Sequence, residues 1–187
     1  MEELDEPYQL EAVAYPIEES FRAIGTGTVP VIDDDGIVMG ESIAILQYLT
    51  GRRIQRALEL GLTVGPQPDP GPYAEHLQFL HLGEASLMTP VTLLAITQRM
   101  APEGERANFT TARCERNIVN RLKVIERRLE DGRPWLTGER FTIADISVAY
   151  ALHYMRVREL EGLFGPSTLA YLDRATSREA FKRAAAH

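Results

Sequence analysis

The first sixty residues alternate between short strand patterns and helical ones. Tyr8–Val13 alternates apolar and polar residues, which predicts a half-buried strand. Two apolar runs, Val29–Ile32 and Ile37–Met39, flank an Asp-Gly pair at 35–36 that favours a tight hairpin turn. Helices are predicted over Pro16–Ile24, where proline stands near the start, and from Ser42 onward.

Beyond residue 73 every pattern is helical. Apolar residues three and four apart predict helices over 73–88, 118–129 and 141–154, with Pro90 kinking or ending the first. The third is nearly all apolar and is expected at the centre of its domain. A shorter helix around Phe181 ends the chain.

A proline-rich segment separates the two patterns. Four of the eleven prolines lie at 66, 68, 70 and 72, and proline fixes φ and donates no backbone hydrogen bond. We therefore expect an α/β domain over residues 1–61, a linker over 62–72 and an all-helical domain over 73–187.

Composition places the chain among ordinary globular proteins. Of its 187 residues, 44% are hydrophobic and 25% are charged. No stretch approaches the roughly 20 apolar residues of a membrane-spanning helix, and the acidic start has no secretory pattern. A lone Cys114 forms no intrachain disulfide, so a cytoplasmic protein with no membrane partner is expected.

The net charge of −7 argues against a nucleic-acid partner. This charge is uneven, because residues 1–50 hold eleven acids and one base, whereas residues 51–187 are slightly basic. Either the acids form a solvated surface, or basic groups from elsewhere lie beside them.

One helix start is readable from the sequence alone. Thr142 is placed as an N-cap and Asp145 as the third helical residue, so each can bond the other's backbone amide. Phe141 can pack on Ile146 as a hydrophobic staple. Asp145 is interpreted as structural rather than catalytic.

Three segments together resemble the cytosolic glutathione S-transferase family of the bacterial type. They are Gly27–Ile32 with the hairpin after it, Gly40–Ile45, and Phe141–Ile146. The resemblance covers the chain from Glu3 onward. It implies a thioredoxin-like N-terminal domain, an all-helical C-terminal domain and a homodimer.

The resemblance also implies a glutathione site made by Val29, Pro30, Glu41 and Ser42. In the family the Val-Pro bond is cis, and the valine backbone pairs with the cysteine of glutathione. Ser42 and the helix that it opens would bind the γ-glutamyl carboxylate, and Glu41 the α-amino group. Without the family, the same residues are a trans proline, a helix cap and a first-turn acid.

In the family, a strand and a helix precede the stretch that begins at Glu2, and that strand carries the tyrosine, serine or cysteine that activates the thiol. The resemblance places about 20 such residues before Met1, so no catalytic residue is assigned in this chain. The function expected is transfer of glutathione to a hydrophobic electrophile, with glutathione as co-substrate and no metal. The alternative is a non-catalytic interaction module with the same fold.

Other candidates are weaker. Cys114 lies among arginines that could activate it, although an incidental helix cysteine is the simpler interpretation. His76 and His81 are five apart, which does not place both on one helix face. The acids at 33–35 lack the alternating ligands of a calcium loop. Leu80, Leu87 and Met88 could line a substrate pocket, a dimer contact or the core.

Overall fold

The structure, a computed structural model, describes residues 1–13, 27–65 and 69–186, which form two compact units. The first unit is Met1–Leu60 and the second is Gly61–His187. The predicted helix over Pro16–Ile24 lies outside the described residues.

In its described residues, the first unit contains one hairpin and two helices. A 3₁₀ turn spans Glu2–Leu4, and the regular elements are β1 Val31–Asp34, β2 Ile37–Gly40, α1 Ser42–Arg52 and α2 Ile54–Leu60. The strands pair antiparallel. Asp35 and Gly36 both have positive φ, at 54° and 87°, which is the conformation that an Asp-Gly hairpin turn requires. The predicted hairpin is confirmed.

The predicted strand over Tyr8–Val13 is wrong. These residues have no regular secondary structure, and most of them are exposed. Among the described residues the sheet has two strands, β1 and β2. An alternating pattern forms a strand only beside a partner strand, and among the described residues this segment pairs with neither β1 nor β2.

Basic residues just beyond position 50 neutralise part of the acidic start. Arg53 donates to Glu6 at 2.8 Å and lowers the pKa of that carboxyl. Arg56 contacts Asp5 at 3.5 Å. The bases that pair with these acids therefore follow them in the sequence, although they lie beside them in the fold. This accounts for part of the charge asymmetry.

The second unit is helical throughout its regular elements. These are α3 Gly71–His81, a π-helical segment Leu82–Met88, α4 Thr89–Met100, α5 Phe109–Leu129, α6 Ile143–Val157, α7 Pro166–Thr176 and α8 Glu179–Ala185, with 3₁₀ turns at Glu103–Glu105 and Glu161–Leu163. Its core includes Leu80, Leu122, Ile125, Leu152 and Tyr171. Leu80, Leu87 and Met88 are buried in this single chain, which favours the core among their three interpretations.

Two boundaries differ from the sequence prediction. Helix α3 begins at Gly71, because Pro72 falls in the first turn, where a missing N–H costs nothing. Pro90 does not end the helical run, because it occupies the first turn of α4 directly after the π-helical segment. Gly83 of that segment lies so close to α6 that a Cβ would stand 2.5 Å from the backbone of Ser147.

The continuous run Gly71–Met100 is apolar enough to meet the length and composition criteria of a membrane span. Its mean hydropathy reaches 1.4 over 18 residues, so the expectation that no stretch approaches this limit is wrong. About 39% of that window is buried inside the fold, and the core helix of a soluble domain meets the same criteria.

Candidate functional site

The hairpin brings two distant segments of the predicted site to one end. Val31 pairs with Gly40 as the last rung of the ladder. Pro30 therefore leaves β1 at the same end at which Glu41 leaves β2. Paired strands lie about 5 Å apart, so Pro30 and Glu41, which adjoin this rung, flank the open end of the hairpin, and Val29 and Ser42 are the next residues along the chain.

Val29 and Pro30 form the first half of this end. The peptide bond between them is cis. Val29 is 56% exposed, and Pro30 is exposed as well. Val29 precedes the paired part of β1, so the ladder between β1 and β2 does not use its backbone groups.

Glu41 and Ser42 form the second half. Glu41 is exposed, has φ 67° and ψ 107°, and directly precedes α1. A positive φ is uncommon for a residue with a side chain, and such conformations concentrate at ligand sites. The Glu41 side chain makes no capping hydrogen bond. The first amides of α1 have no acceptor within the helix, so this terminus favours an anion.

The helix that carries Ser42 is fixed to the hairpin at its other end. Tyr48 donates its hydroxyl to Asp34 at 2.8 Å, and Arg52 donates to the same carboxylate oxygen at 3.1 Å. The Tyr48 hydroxyl, together with Arg52, holds the pKa of the Asp34 carboxyl below its usual range. Asp34 ends β1, so this contact fixes the angle between α1 and the strand that begins beside Val29.

Sequence reasoning missed this contact. Tyr48 and Arg52 are four residues apart, which places both on one face of α1. That spacing could have revealed a shared partner, although nothing in the sequence identified Asp34 among the three successive aspartates.

Asp145 is buried and accepts from several donors. Its carboxylate accepts from the amide of Leu136 and the amide of Thr142, both at 2.9 Å, and from the hydroxyl of Tyr171 at 3.2 Å. The Thr142 hydroxyl accepts from the amide of Ala144 at 3.2 Å, and both halves of the predicted capping box between Thr142 and Asp145 are formed. With these donors around it, Asp145 organises the start of α6 and is not placed to act on a ligand.

The remaining candidates are not brought together. Cys114 is buried on the core side of α5, which favours the incidental helix cysteine over an activated thiol. His76 is buried, and burial lowers its pKa, whereas His81 is exposed. Within the described residues, no group of three His, Cys, Asp or Glu side chains could hold a metal.

The sequence was compared with protein-family models and with curated protein sequences. Residues 108–187 match the family model described as "Glutathione S-transferase, C-terminal domain". A search of curated protein sequences finds no match.

Solved structures resemble almost the whole chain. A glutathione S-transferase from Actinobacillus pleuropneumoniae has a TM-score of 0.78 and 22% identity, covering 98% of this chain and 82% of its own. A glutathione transferase from Methylococcus capsulatus has a TM-score of 0.76 and 25% identity, covering 98% and 87%. One from Burkholderia graminis, solved with two glutathione molecules per subunit, has a TM-score of 0.76 and 24% identity, covering 97% and 78%. The predicted combination of a thioredoxin-like domain and a helical domain is thereby confirmed.

Proposed function

We propose that the chain is a glutathione S-transferase, which binds glutathione at the open end of the hairpin and transfers it to a small hydrophobic electrophile. The match of residues 108–187 to the C-terminal domain of that family and the shared fold of solved glutathione transferases support this proposal. The observation that carries this proposal is the arrangement of that end. It joins an exposed backbone edge at Val29 to an uncapped helix terminus at Ser42, and these two features suit the two ends of a thiol tripeptide.

Each group at this end has a partner in glutathione. The backbone of Val29 pairs with the cysteinyl residue of the ligand, as an added strand pairs with a sheet edge. The hydroxyl and amide of Ser42 donate to the γ-glutamyl carboxylate, which the dipole of α1 also favours. The carboxylate of Glu41 accepts from the α-amino group.

The chemistry that follows is nucleophilic substitution by sulfur. The thiol of glutathione releases its proton to solvent, and the thiolate attacks the electrophilic carbon. A carbon–sulfur bond forms while the bond to the leaving group breaks, and a leaving group such as chloride departs with the electron pair. No residue of this chain is assigned to the activation of the thiol.

Binding is tested by calorimetric titration of the purified chain with glutathione. Ser42→Ala removes one donor to the ligand carboxylate, so we expect affinity to fall about tenfold. Ser177→Ala is the matched control, because Ser177 lies exposed in the second unit and its hydroxyl bonds only the Arg174 carbonyl within its own turn. Absence of any heat of binding to the folded wild-type chain would overturn the proposal.

Transfer is tested separately, with a chlorinated aromatic acceptor and absorbance of the thioether product. Product formation that depends on the chain supports a transferase. Binding of glutathione without product formation would instead support the non-catalytic interaction module.

We also propose a homodimer in the cytoplasm. Leu93, Ile96 and Met100 are exposed on one face of α4 at spacings of three and four residues, and Met100 is 73% exposed. A second copy of the chain would cover this apolar stripe. Ile96→Glu is expected to shift the mass measured by light scattering from dimer to monomer, whereas Val157→Glu at the exposed end of α6 is not.

A further inference from the structure

Helix α5 presents a positively charged face to solvent. Its buried residues, among them Cys114, Ile118, Leu122, Ile125 and Leu129, mark the core side. The opposite side is formed by Phe109, Arg113, Arg116, Asn120, Lys123 and Arg127, which are all exposed and succeed one another at steps of three or four. We call these six residues the cationic ridge.

The charges of the ridge are not neutralised by the residues that the structure describes. Among the described residues, none of its four cations forms an ion pair. In the described part of the chain, the hydrogen bond made by these side chains runs from Arg127 Nε to the carbonyl of Lys123, at 3.4 Å. Of the acids on α5 and its C-cap, Glu126 bonds α7, and Glu115 lies about 100° around the helix from Arg116. The C-cap residue Glu130 follows Arg127 by three positions but forms no ion pair with it.

This arrangement does not serve the helix itself. Like charges three or four residues apart, such as Arg113 with Arg116 and Lys123 with Arg127, destabilise a helix by a few tenths of a kcal/mol. Arg113 also lies in the first half of α5, toward the end where the dipole disfavours cations. A face that only keeps a helix soluble would mix both signs.

The size of the ridge limits its partner. Arg113 and Arg127 are 14 positions apart, a rise of about 21 Å, and the face is one helix wide. A short acidic segment matches the ridge in length, width and sign of charge, whereas a membrane or a nucleic-acid duplex would extend well beyond it on every side.

We infer that the cationic ridge is a docking surface for an acidic, helical segment of a partner protein. Carboxylates at every third or fourth position of that segment bond the arginines, which accept carboxylates in a bidentate manner. Phe109, 76% exposed at the N-terminal end of the ridge, contacts an apolar residue at one end of the segment. This docking does not depend on glutathione.

The test is fluorescence anisotropy of a labelled 15-residue peptide that carries glutamates at spacings of three and four and leucine near one end. The full-length chain should bind it, and the affinity should fall as salt rises. The double variant Arg116→Glu/Arg127→Glu should weaken binding about tenfold or more. Arg121→Glu is the matched control, because Arg121 is exposed on the same helix but about 120° from the centre of the ridge; it should change affinity less than about twofold.

Three results would overturn the inference. If the double variant and Arg121→Glu lose equal affinity for the peptide, binding depends on the total charge of the helix and not on the ridge. Equal binding of a peptide with the same composition in scrambled order would exclude recognition of the spacing. Tighter binding to phosphatidylserine vesicles or to a DNA duplex would assign the ridge to those polyanions. Thermal unfolding of each variant verifies that it is folded.

Discussion

The carboxylate of Glu126 accepts both the backbone amide and the hydroxyl of Thr168, at 2.8 and 2.7 Å. It also accepts the amide of Ser167 at 3.0 Å. Glu126 belongs to α5 and Thr168 to the first turn of α7. A side chain 42 positions away therefore caps a helix that has no local side-chain cap.

The first prediction concerns pH. Burial acts to raise the pKa of Glu126, but the bonds from Thr168 and Ser167 outweigh it and hold the pKa below its usual value. A carboxyl whose pKa is lower in the folded chain than in the unfolded chain stabilises the fold. This stabilisation is complete above the unfolded pKa of about 4.3 and is lost as the pH falls through the folded pKa. Glu126→Gln should therefore lower the free energy of unfolding by about 1 kcal/mol at pH 7 and by less at pH 3.

Urea denaturation at a series of pH values measures this difference. Glu130→Gln, at the exposed C-terminal end of the same helix, is the control. A deficit of the Glu126 variant that stays constant from pH 7 to pH 3 would contradict the assignment.

The second prediction concerns the space beside that carboxylate. A Cβ on Gly165 would stand 2.3 Å from Cδ of Glu126. Gly165→Ala must displace the carboxylate from α7, so we expect the free energy of unfolding to fall by about 1–3 kcal/mol. The loss should shrink when Glu126 is already alanine, because the clashing atoms are then absent. Additive losses in the double-mutant cycle would show that the two residues do not interact.

The third prediction concerns Asp145. Asp145→Ala leaves the buried amides of Leu136 and Thr142 without an acceptor, and each unsatisfied group costs about 1–3 kcal/mol. We expect the free energy of unfolding of the second unit to fall by about 3 kcal/mol or more. Urea denaturation monitored by circular dichroism measures this change. Asp173→Ala, which removes only an exposed ion pair to Arg156, should cost less than about 1 kcal/mol. Similar losses in the two variants would contradict the buried network.

The fourth prediction links the hairpin to the proposed ligand. Gly36 has φ 87°, and its amide bonds the Asp33 carboxylate at 2.7 Å. No atom blocks a Cβ there, so Gly36→Ala acts through the backbone alone and should cost about 1 kcal/mol. Because the hairpin register brings the end of the chain segment at Pro30 to the end at Glu41, glutathione affinity should fall as well. Gly104→Ala, in open space without positive φ, should leave both quantities unchanged. If the Gly36 variant is less stable but binds glutathione as tightly as the wild-type chain, the hairpin turn does not position the site.

Much of the site was predictable because its determinants are local. The Asp-Gly turn fixes the hairpin, and the hairpin alone brings the segment that ends at Pro30 to the same end as the segment that begins at Glu41. What could not be predicted is how α1 is held. Asp34 is one of three successive aspartates with equal chemistry, and only packing decides which of them meets Tyr48 and Arg52.

The sequence by itself determined the features that depend on neighbours a few positions apart. These are the Asp35–Gly36 turn, the start of α1 at Ser42, and the cap of α6 by Thr142 and Asp145, whose bonds span three residues or fewer. Tertiary structure decided the features whose partners are distant in the chain. Tyr8–Val13 carries a strand pattern without a strand, because a ladder needs a second segment. Glu126 caps α7 across 42 positions, because helix packing, which no local pattern encodes, places the two elements side by side.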